Sequence, residues 1–314
     1  MLKNTVFTFS ILVIVSLAMI FPEPFQYAGD YKLTGLIVPL LMIIMFGMGT
    51  SVGINDFLRV VKMPKSIAVG VICQFTIMPF IGMSLAIMSG LPPEITAGII
   101  LVGCAPGGLA SNVMAYISGA NLALSLSLTA ISTLIAPFAT PLLMSLLAGE
   151  YIPIDAVAMF WSITKIVILP VVAGLVFNHF LHGKYPTIDR AMPIVSMVGI
   201  VVIIAVITAA GRDNLLTMGF ALIGIVMLQN ILGLALGYGV ARLIRLDEPS
   251  ARAIAFEVGM QNSGLASGIA VEMERVASMG IAPAIFGPFM NINGSILASF
   301  WRKNTDQVKT DKNE

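Results

Sequence analysis

Phe256-Glu257-Val258-Gly259-Met260-Gln261-Asn262-Ser263-Gly264-Leu265-Ala266-Ser267-Gly268 is the stretch on which the fold turns. It lies inside an apolar run from about 251 to 271, yet it carries a carboxylate, two amides and several glycines. Glycine lets a backbone leave helical geometry. A second apolar run, about 95–117, holds a matching interruption, Ala105-Pro106-Gly107-Gly108-Leu109-Ala110-Ser111-Asn112. Its proline removes an amide donor and clashes with the preceding turn. Aligning Gly108-Leu109-Ala110-Ser111 on Gly264-Leu265-Ala266-Ser267 carries Gln74 to within one residue of Gln229. Two anchors at nearly one displacement argue for two homologous halves. Singly, each break reads as an ordinary kink in a packed membrane helix. Paired, and lined with Ser, Asn, Gln and Glu, they read as a binding site.

Outward from these breaks the chain is apolar. Of 314 residues, 58% are hydrophobic and only 11% charged, against about 25% charged in soluble domains. The charges cluster between runs of roughly 20 residues, the length a helix needs to cross ~30 Å of hydrocarbon. Ten spans are predicted, at about 5–22, 33–52, 66–90, 95–117, 121–147, 156–181, 191–211, 216–241, 251–271 and 279–300. Residues 1–301 form one transmembrane unit, with repeats of about 1–150 and 151–301. Each repeat has five spans, an odd number, so the halves cross in opposite directions. The predicted fold is thus an all-α membrane protein of two inverted five-helix repeats, with discontinuous helices four and nine. Inverted repeats with matched broken helices characterise secondary transporters. The tail from Arg302 to Glu314 reads as a disordered cytoplasmic end.

Basic residues set the orientation. The N-terminus and even-numbered connections carry Lys3; Arg59, Lys62 and Lys65; Lys184 and Arg190; and Arg242, Arg245 and Arg252. Arg302, Lys303, Lys309 and Lys312 follow the last span, whereas the odd connections carry only Lys32, Arg212 and Arg275. Both termini are therefore expected in the cytoplasm, with the chain in the cell (inner) membrane. Lys3 before the first span mimics a signal peptide, but no small-x-small cleavage site precedes Pro22. Cys73 and Cys104 lie inside spans and read as packing residues. His179 and His182 read as interfacial. No basic stripe suggests nucleic acid.

Glu257 is the sharpest clue. An acidic side chain at bilayer depth costs about 3 kcal/mol even on lenient scales. Asp56, Glu94, Glu150, Asp189 and Asp247 all sit at span ends. Glu257 is therefore protonated, paired with Lys165, or bound to a cation. Its surroundings favour a cation. Ser111 and Asn112 follow the break in span four, Ser125 and Thr129 share one face of span five, and Gln74 and Gln261 add amide oxygens. Neutral oxygens with one carboxylate suit a hard monovalent ion. Zinc would want Cys or His, and calcium more carboxylates. A proton-coupled alternative uses Glu257 alone and leaves the other oxygens without a purpose.

Pro106 to Asn112 and Glu257 to Gly264 resemble the two motifs of the bile acid:sodium symporter family, which includes bacterial homologues of the apical sodium-dependent bile acid transporter. The similarity runs through essentially all ten spans. The resemblance implies a core of spans 3–5 and 8–10, in which spans four and nine cross, and a panel of spans 1, 2, 6 and 7. It implies two sodium sites: one of Ser111, Asn112, Ser125, Thr129 and Glu257, the other of Gln74, Glu257, Gln261 and the carbonyls of Val258 and Met260. It places the transported organic anion between core and panel, with Gly108, Leu109, Ala110, Asn262, Ser263 and Asn291 as candidate contacts. Some bacterial relatives have a hydroxyl residue where this chain has Leu109. The implied cargo is a pantoate-like carboxylate or a bile acid.

Other classes fit less well. An intramembrane enzyme would need a nucleophile with its base, or a metal centre, and no His-Glu-x-x-His run or Ser–His pairing at depth is present. A channel would show flux without sodium-linked accumulation. A receptor would carry an output domain, which the short tail does not offer. Gly47-Met48-Gly49 is too weak for a nucleotide loop, and Asn293-Gly294-Ser295 lies within a span.

Overall fold

The computed structural model describes residues 11, 13–51, 63–181 and 186–310. It is 84% helical. Residues 13–20 are helical, and a two-stranded hairpin pairs Tyr27–Ala28 with Tyr31–Lys32. The main helices are α1 (Ile37–Ser51), α2 (Pro64–Ser89), α3 (Pro93–Cys104), α4 (Ala110–Ile117), α5 (Leu122–Ala148), α6 (Ala156–Ile163), α7 (Leu169–Leu181), α8 (Pro186–Ala210), α9 (Arg212–Leu243), α10 (Glu248–Gly259), α11 (Ser263–Glu272) and α12 (Ile281–Thr310). Six helical stretches among the described residues are long and apolar enough to cross a membrane: Leu33–Thr50, Pro64–Ser89, Leu122–Ala148, Ala156–Phe180, Arg212–Leu243 and Ile281–Arg302. Their outer faces expose Phe220, Met88, Leu146 and Phe138. Large exposed apolar surface of this extent belongs against lipid.

Local chemistry sets the helix ends. Proline, whose missing amide costs nothing in a first turn, opens α2 and α3 and lies in the first turn of α10. Gly90 closes α2 in the left-handed conformation, at φ 62°. Asn121 and Asp155 cap α5 and α6 by accepting from backbone amides. Between α6 and α7, Thr164–Ile168 forms a π turn, an insertion that often marks functional helices. The last helix corrects one sequence expectation. It continues through Thr310, so residues 302–310 are helical and not disordered. Adding a residue to an existing helix needs no new nucleus, so polar residues prolong it cheaply. Lys3, Arg59, Lys62, Lys184 and Lys312 lie outside the described residues, as do Asp56 and His182.

The helices pack in two groups. α1 lies along α7 and α8. Gly49 and Gly174 meet at the first of these crossings, where a Cβ on either would overlap the other helix's backbone. The larger group sets α2 against α3, α5 and α9, and α9 against α10 and α12. Within it, the ends of the two broken helices are tied together. Arg252 of α10 donates to the Ser118 carbonyl just beyond α4 at 3.0 Å, and Pro249 accepts from the Asn121 amide at 2.9 Å. At the opposite end Glu94 of α3 accepts from Arg275 and Ser278, just beyond α11.

Candidate functional site

Both predicted interruptions are present. α3 stops at Cys104 and α4 starts at Ala110; α10 stops at Gly259 and α11 starts at Ser263. The two extended links pair as an antiparallel bridge between Gly107 and Gln261. Gly108 N–H donates to Met260 O at 2.9 Å, and Asn262 N–H donates to Pro106 O at 2.8 Å. Each break thereby satisfies backbone groups that the other has freed, as a buried irregular chain requires.

Amides from neighbouring helices cap the remaining carbonyls. Gln74 Nε2 of α2 donates to Ala105 O at 2.9 Å and to Gln261 Oε1 at 2.7 Å. On α9 the equivalent role falls to Asn230, whose Nδ2 donates to Gly259 O at 2.8 Å. Gln229, the residue the repeat selected, instead donates to Ile99 O beside Gly82. A one-residue step rotates a helical side chain by about 100°, enough to exchange the two roles.

Glu257 ends up fully buried with hydroxyl partners. Its Oε2 accepts from Ser111 at 2.9 Å and Thr129 at 2.7 Å. Its Oε1 accepts from Ser132 at 3.2 Å. Lys165 does not pair with it; that side chain is exposed on the π turn. Asn112 Oδ1 accepts from Ser125 at 2.8 Å and Thr129 at 3.3 Å. The first predicted set, Ser111, Asn112, Ser125, Thr129 and Glu257, is thus one cluster. Gly107 lies against the carboxylate, where a Cβ would overlap Oε1. Ser132 escaped the sequence reading, although its signal was present: it follows Thr129 by three positions on the same helical face.

Of the second set, Gln74, Gln261 and the Val258 carbonyl are joined by hydrogen bonds. Gln261 Nε2 donates to Val258 O at 2.5 Å, and Met260 O accepts from Gly108. Each carbonyl keeps a second lone pair. Among the described residues no cationic side chain partners Glu257. A buried charge left without a counter-charge is strongly destabilising. Oxygen donors around a carboxylate suit a hard cation. The buried Asn112 Nδ2 has no partner among the described residues, so this cluster is not a closed hydrogen-bond network. No group of three His, Cys, Asp or Glu that could hold a metal ion is found among the described residues.

Beside the bridge lies a cavity of about 360 Å³ between the two helix groups. Gly108, Leu109, Ala110, Gln261, Asn262 and Ser263 form one side of it, and Asn291 lies on α12. All six predicted substrate contacts therefore line one space. Leu41, Ile44, Met45, Ile200, Ile203 and Ile204 supply an apolar wall from α1 and α8. Lys, Arg and His are missing from the described lining. The starts of α4 and α11 line the cavity instead, and helix N-termini carry partial positive charge. Asn262 Oδ1 accepts from Leu265 N–H at 3.0 Å as the cap of α11. The cavity can hold an anion by backbone dipoles while its far wall accepts an apolar body.

Comparison with known proteins agrees with this geometry. Residues 38–218 match the Sodium Bile acid symporter family. The chain is 43% identical over 299 residues to the uncharacterized sodium-dependent transporter YocS of Bacillus subtilis, covering 94% of this chain and 91% of that protein. It is 34% identical to the probable sodium/metabolite cotransporter BASS1, chloroplastic, of Oryza sativa, over 82% of this chain and 64% of that one. The Arabidopsis thaliana protein of the same name is 32% identical, over 94% and 73%. The match extends over almost the whole chain, both crossing segments included, and the chain belongs to the sodium bile acid symporter family, a family of membrane transporters and not of enzymes.

Proposed function

We propose that this protein is a sodium:organic anion symporter that imports a small carboxylate across the cell membrane by alternating access. The observation that carries the proposal is the fully buried Glu257, ringed by hydroxyls, one bridge-width from a cavity that two helix N-termini face. In this reading the ten helical segments span the bilayer as two inverted repeats. The helices around the bridge form the core, α1, α6, α7, α8 and the first helix form the panel, and both termini are cytoplasmic.

Sodium is a co-transported substrate here. Ser111, Asn112, Ser125, Thr129 and Glu257 hold one ion. Gln74, Gln261, Glu257 and the carbonyls of Val258 and Met260 hold the second. Both lie behind the bridge, so their charge stiffens the two extended links and raises the potential at the cavity. Together with the dipoles of α4 and α11 they favour a carboxylate beside Asn262 and Ser263. The core then moves against the panel, and the cavity between them opens to the other side.

The proposed cargo is a small carboxylate such as pantoate, its apolar part against Ile44, Ile200 and Ile203; a bile acid-type anion is the alternative. Two sodium ions with one monoanion carry one positive charge inward, worth about 2.3 kcal/mol per 100 mV. Uptake is therefore expected to rise with an inside-negative potential. The test is uptake of labelled pantoate into proteoliposomes under sodium or potassium gradients. Accumulation driven by sodium alone supports symport. Equal accumulation with potassium refutes sodium coupling, and sodium-driven uptake of a bile acid in place of pantoate reassigns the cargo.

A further inference from the structure

Ser132 belongs to neither predicted ion set, yet it touches the one buried carboxylate. It is 1% exposed. Its hydroxyl lies 3.2 Å from Glu257 Oε1 and 3.2 Å from the carbonyl of Thr129. A serine hydroxyl has one proton to donate, so Glu257 Oε1 and the Thr129 carbonyl, each at 3.2 Å, compete for it. The two carboxylate oxygens are thereby separated by chemistry. Oε2 faces Ser111 and Thr129, whereas Oε1 sits in a slot between Ser132 and the bare Cα of Gly107.

We infer that Ser132 is a positioning residue, which locks the rotation of the Glu257 carboxylate so that one oxygen serves each sodium site. The inference rests on the two-site symporter reading above. The terminal torsion of a glutamate is broad and roughly two-fold. Nothing covalent fixes the rotation of the carboxylate plane about that torsion, and glycine at 107 supplies room but no restraint. Ser132 is the only described side chain donating to Oε1. Without it the carboxylate can turn both oxygens toward the hydroxyl pair, leaving the second ion without its charged ligand. The loss falls on the affinity for sodium and on cooperation between the ions, not on the movement that carries substrate.

The test is a sodium titration of thermal unfolding with purified full-length protein, which requires no substrate, followed by sodium-dependent uptake. Hydrogen bonds to charged groups contribute about 1.5–3 kcal/mol, so Ser132→Ala is expected to raise half-saturating sodium about tenfold or more. Its steepness should fall toward that of a single site, with the maximal uptake rate within about twofold. Ser132→Thr keeps the hydroxyl and should restore the wild-type titration. Ser127→Ala removes a hydroxyl from the same helix that donates to Ala123 O and should leave the titration unchanged. If Ser132→Ala does not fold, a threonine variant with the alanine phenotype expected above overturns the inference. Sodium that stabilises wild type and Ser132→Ala alike overturns it while leaving symport intact. Sodium that fails to stabilise wild type overturns both.

Discussion

The two chain breaks meet at one bridge but contribute opposite things. The break between α3 and α4 is Ala105 to Leu109, and its centre is two glycines with no side chains to offer. The break between α10 and α11 is Met260 to Asn262, all three with substantial side chains, with Glu257 three residues upstream. At the crossing itself the first break supplies space, and the second brings the carboxylate. The reason is steric: a Cβ at Gly107 would occupy the place of Glu257 Oε1. A crossing with side chains on both strands would push the strands apart, and one with none would hold no ion.

The most direct way to break this comparison is to remove the charge and keep the shape. Glu257→Gln is expected to abolish sodium-dependent uptake, by about 100-fold or more, because a neutral amide cannot balance an ion in a low-dielectric site. Sodium should also cease to stabilise the purified protein. Retained sodium stabilisation in this variant would place the ion elsewhere.

The reciprocal change fills the space and keeps the charge. Gly107→Ala puts a methyl where the carboxylate lies. Overpacking of this kind costs about 1–3 kcal/mol, to be read as lower thermal stability together with a weaker sodium response. Gly108→Ala meets the Gln261 backbone, with its carbonyl oxygen at 2.9 Å, and should lower thermal stability while leaving the sodium response nearer wild type. An equal response of the two glycines would show that the space is not reserved for Glu257.

A third change sharpens the distinction between ligands for the ions and ligands for the anion. Asn262 lines the cavity and caps α11. Asn262→Ala should lose about 1 kcal/mol of helix stabilisation and raise half-saturating substrate several-fold, leaving half-saturating sodium near wild type. Uptake kinetics varied in each solute separately would show this. A shift confined to sodium would move Asn262 into the ion site.

The smallest effect lies away from the bridge, where α10 begins. Burial pushes the Glu248 carboxyl up, but hydrogen bonds from Tyr238 and Arg252 and the charges of Arg252 and Arg242 outweigh it, so it titrates below the usual carboxylate range. Its depressed value makes its contribution complete above the ordinary pKa of about 4.3. That contribution disappears as pH falls through the folded value. Wild type should therefore lose slightly more thermal stability than Glu248→Gln as pH is lowered from about 5 to well below the ordinary carboxylate pKa of about 4.3. Parallel pH profiles would mean that this end of α10 is held by contacts other than those of Glu248, such as Arg252–Ser118 and Asn121–Pro249.

Several features of this site were legible in the residues themselves. A glutamate inside an apolar run demands compensation, and proline with paired glycines cannot continue a helix, so the breaks and the carboxylate announced themselves. Ser125 and Thr129 could be grouped because helical periodicity places them on one face. Ser132 obeys the same periodicity, but a hydroxyl that can bond back to its own helix gives no sign of turning outward. Gln229 and Asn230 are adjacent amides, and only the packing of α9 against α10 selects Asn230. The Lys165 alternative failed for a related reason: the π turn around it alters which direction that part of the helix faces.

Composition and pattern alone determined that this chain belongs in a bilayer, that two of its helices are interrupted, and that the interruptions hold its polar chemistry. Those conclusions rest on the cost of polar and backbone groups in hydrocarbon, which any arrangement of the chain must meet. The tertiary structure decided which groups pay that cost for one another. It set the register of Gly107 against Gln261, divided the Glu257 oxygens between Ser132 and the Ser111–Thr129 pair, and aimed two helix starts into one cavity. These are relations between residues more than a hundred positions apart, and only packing in three dimensions brings their atoms within hydrogen-bonding reach.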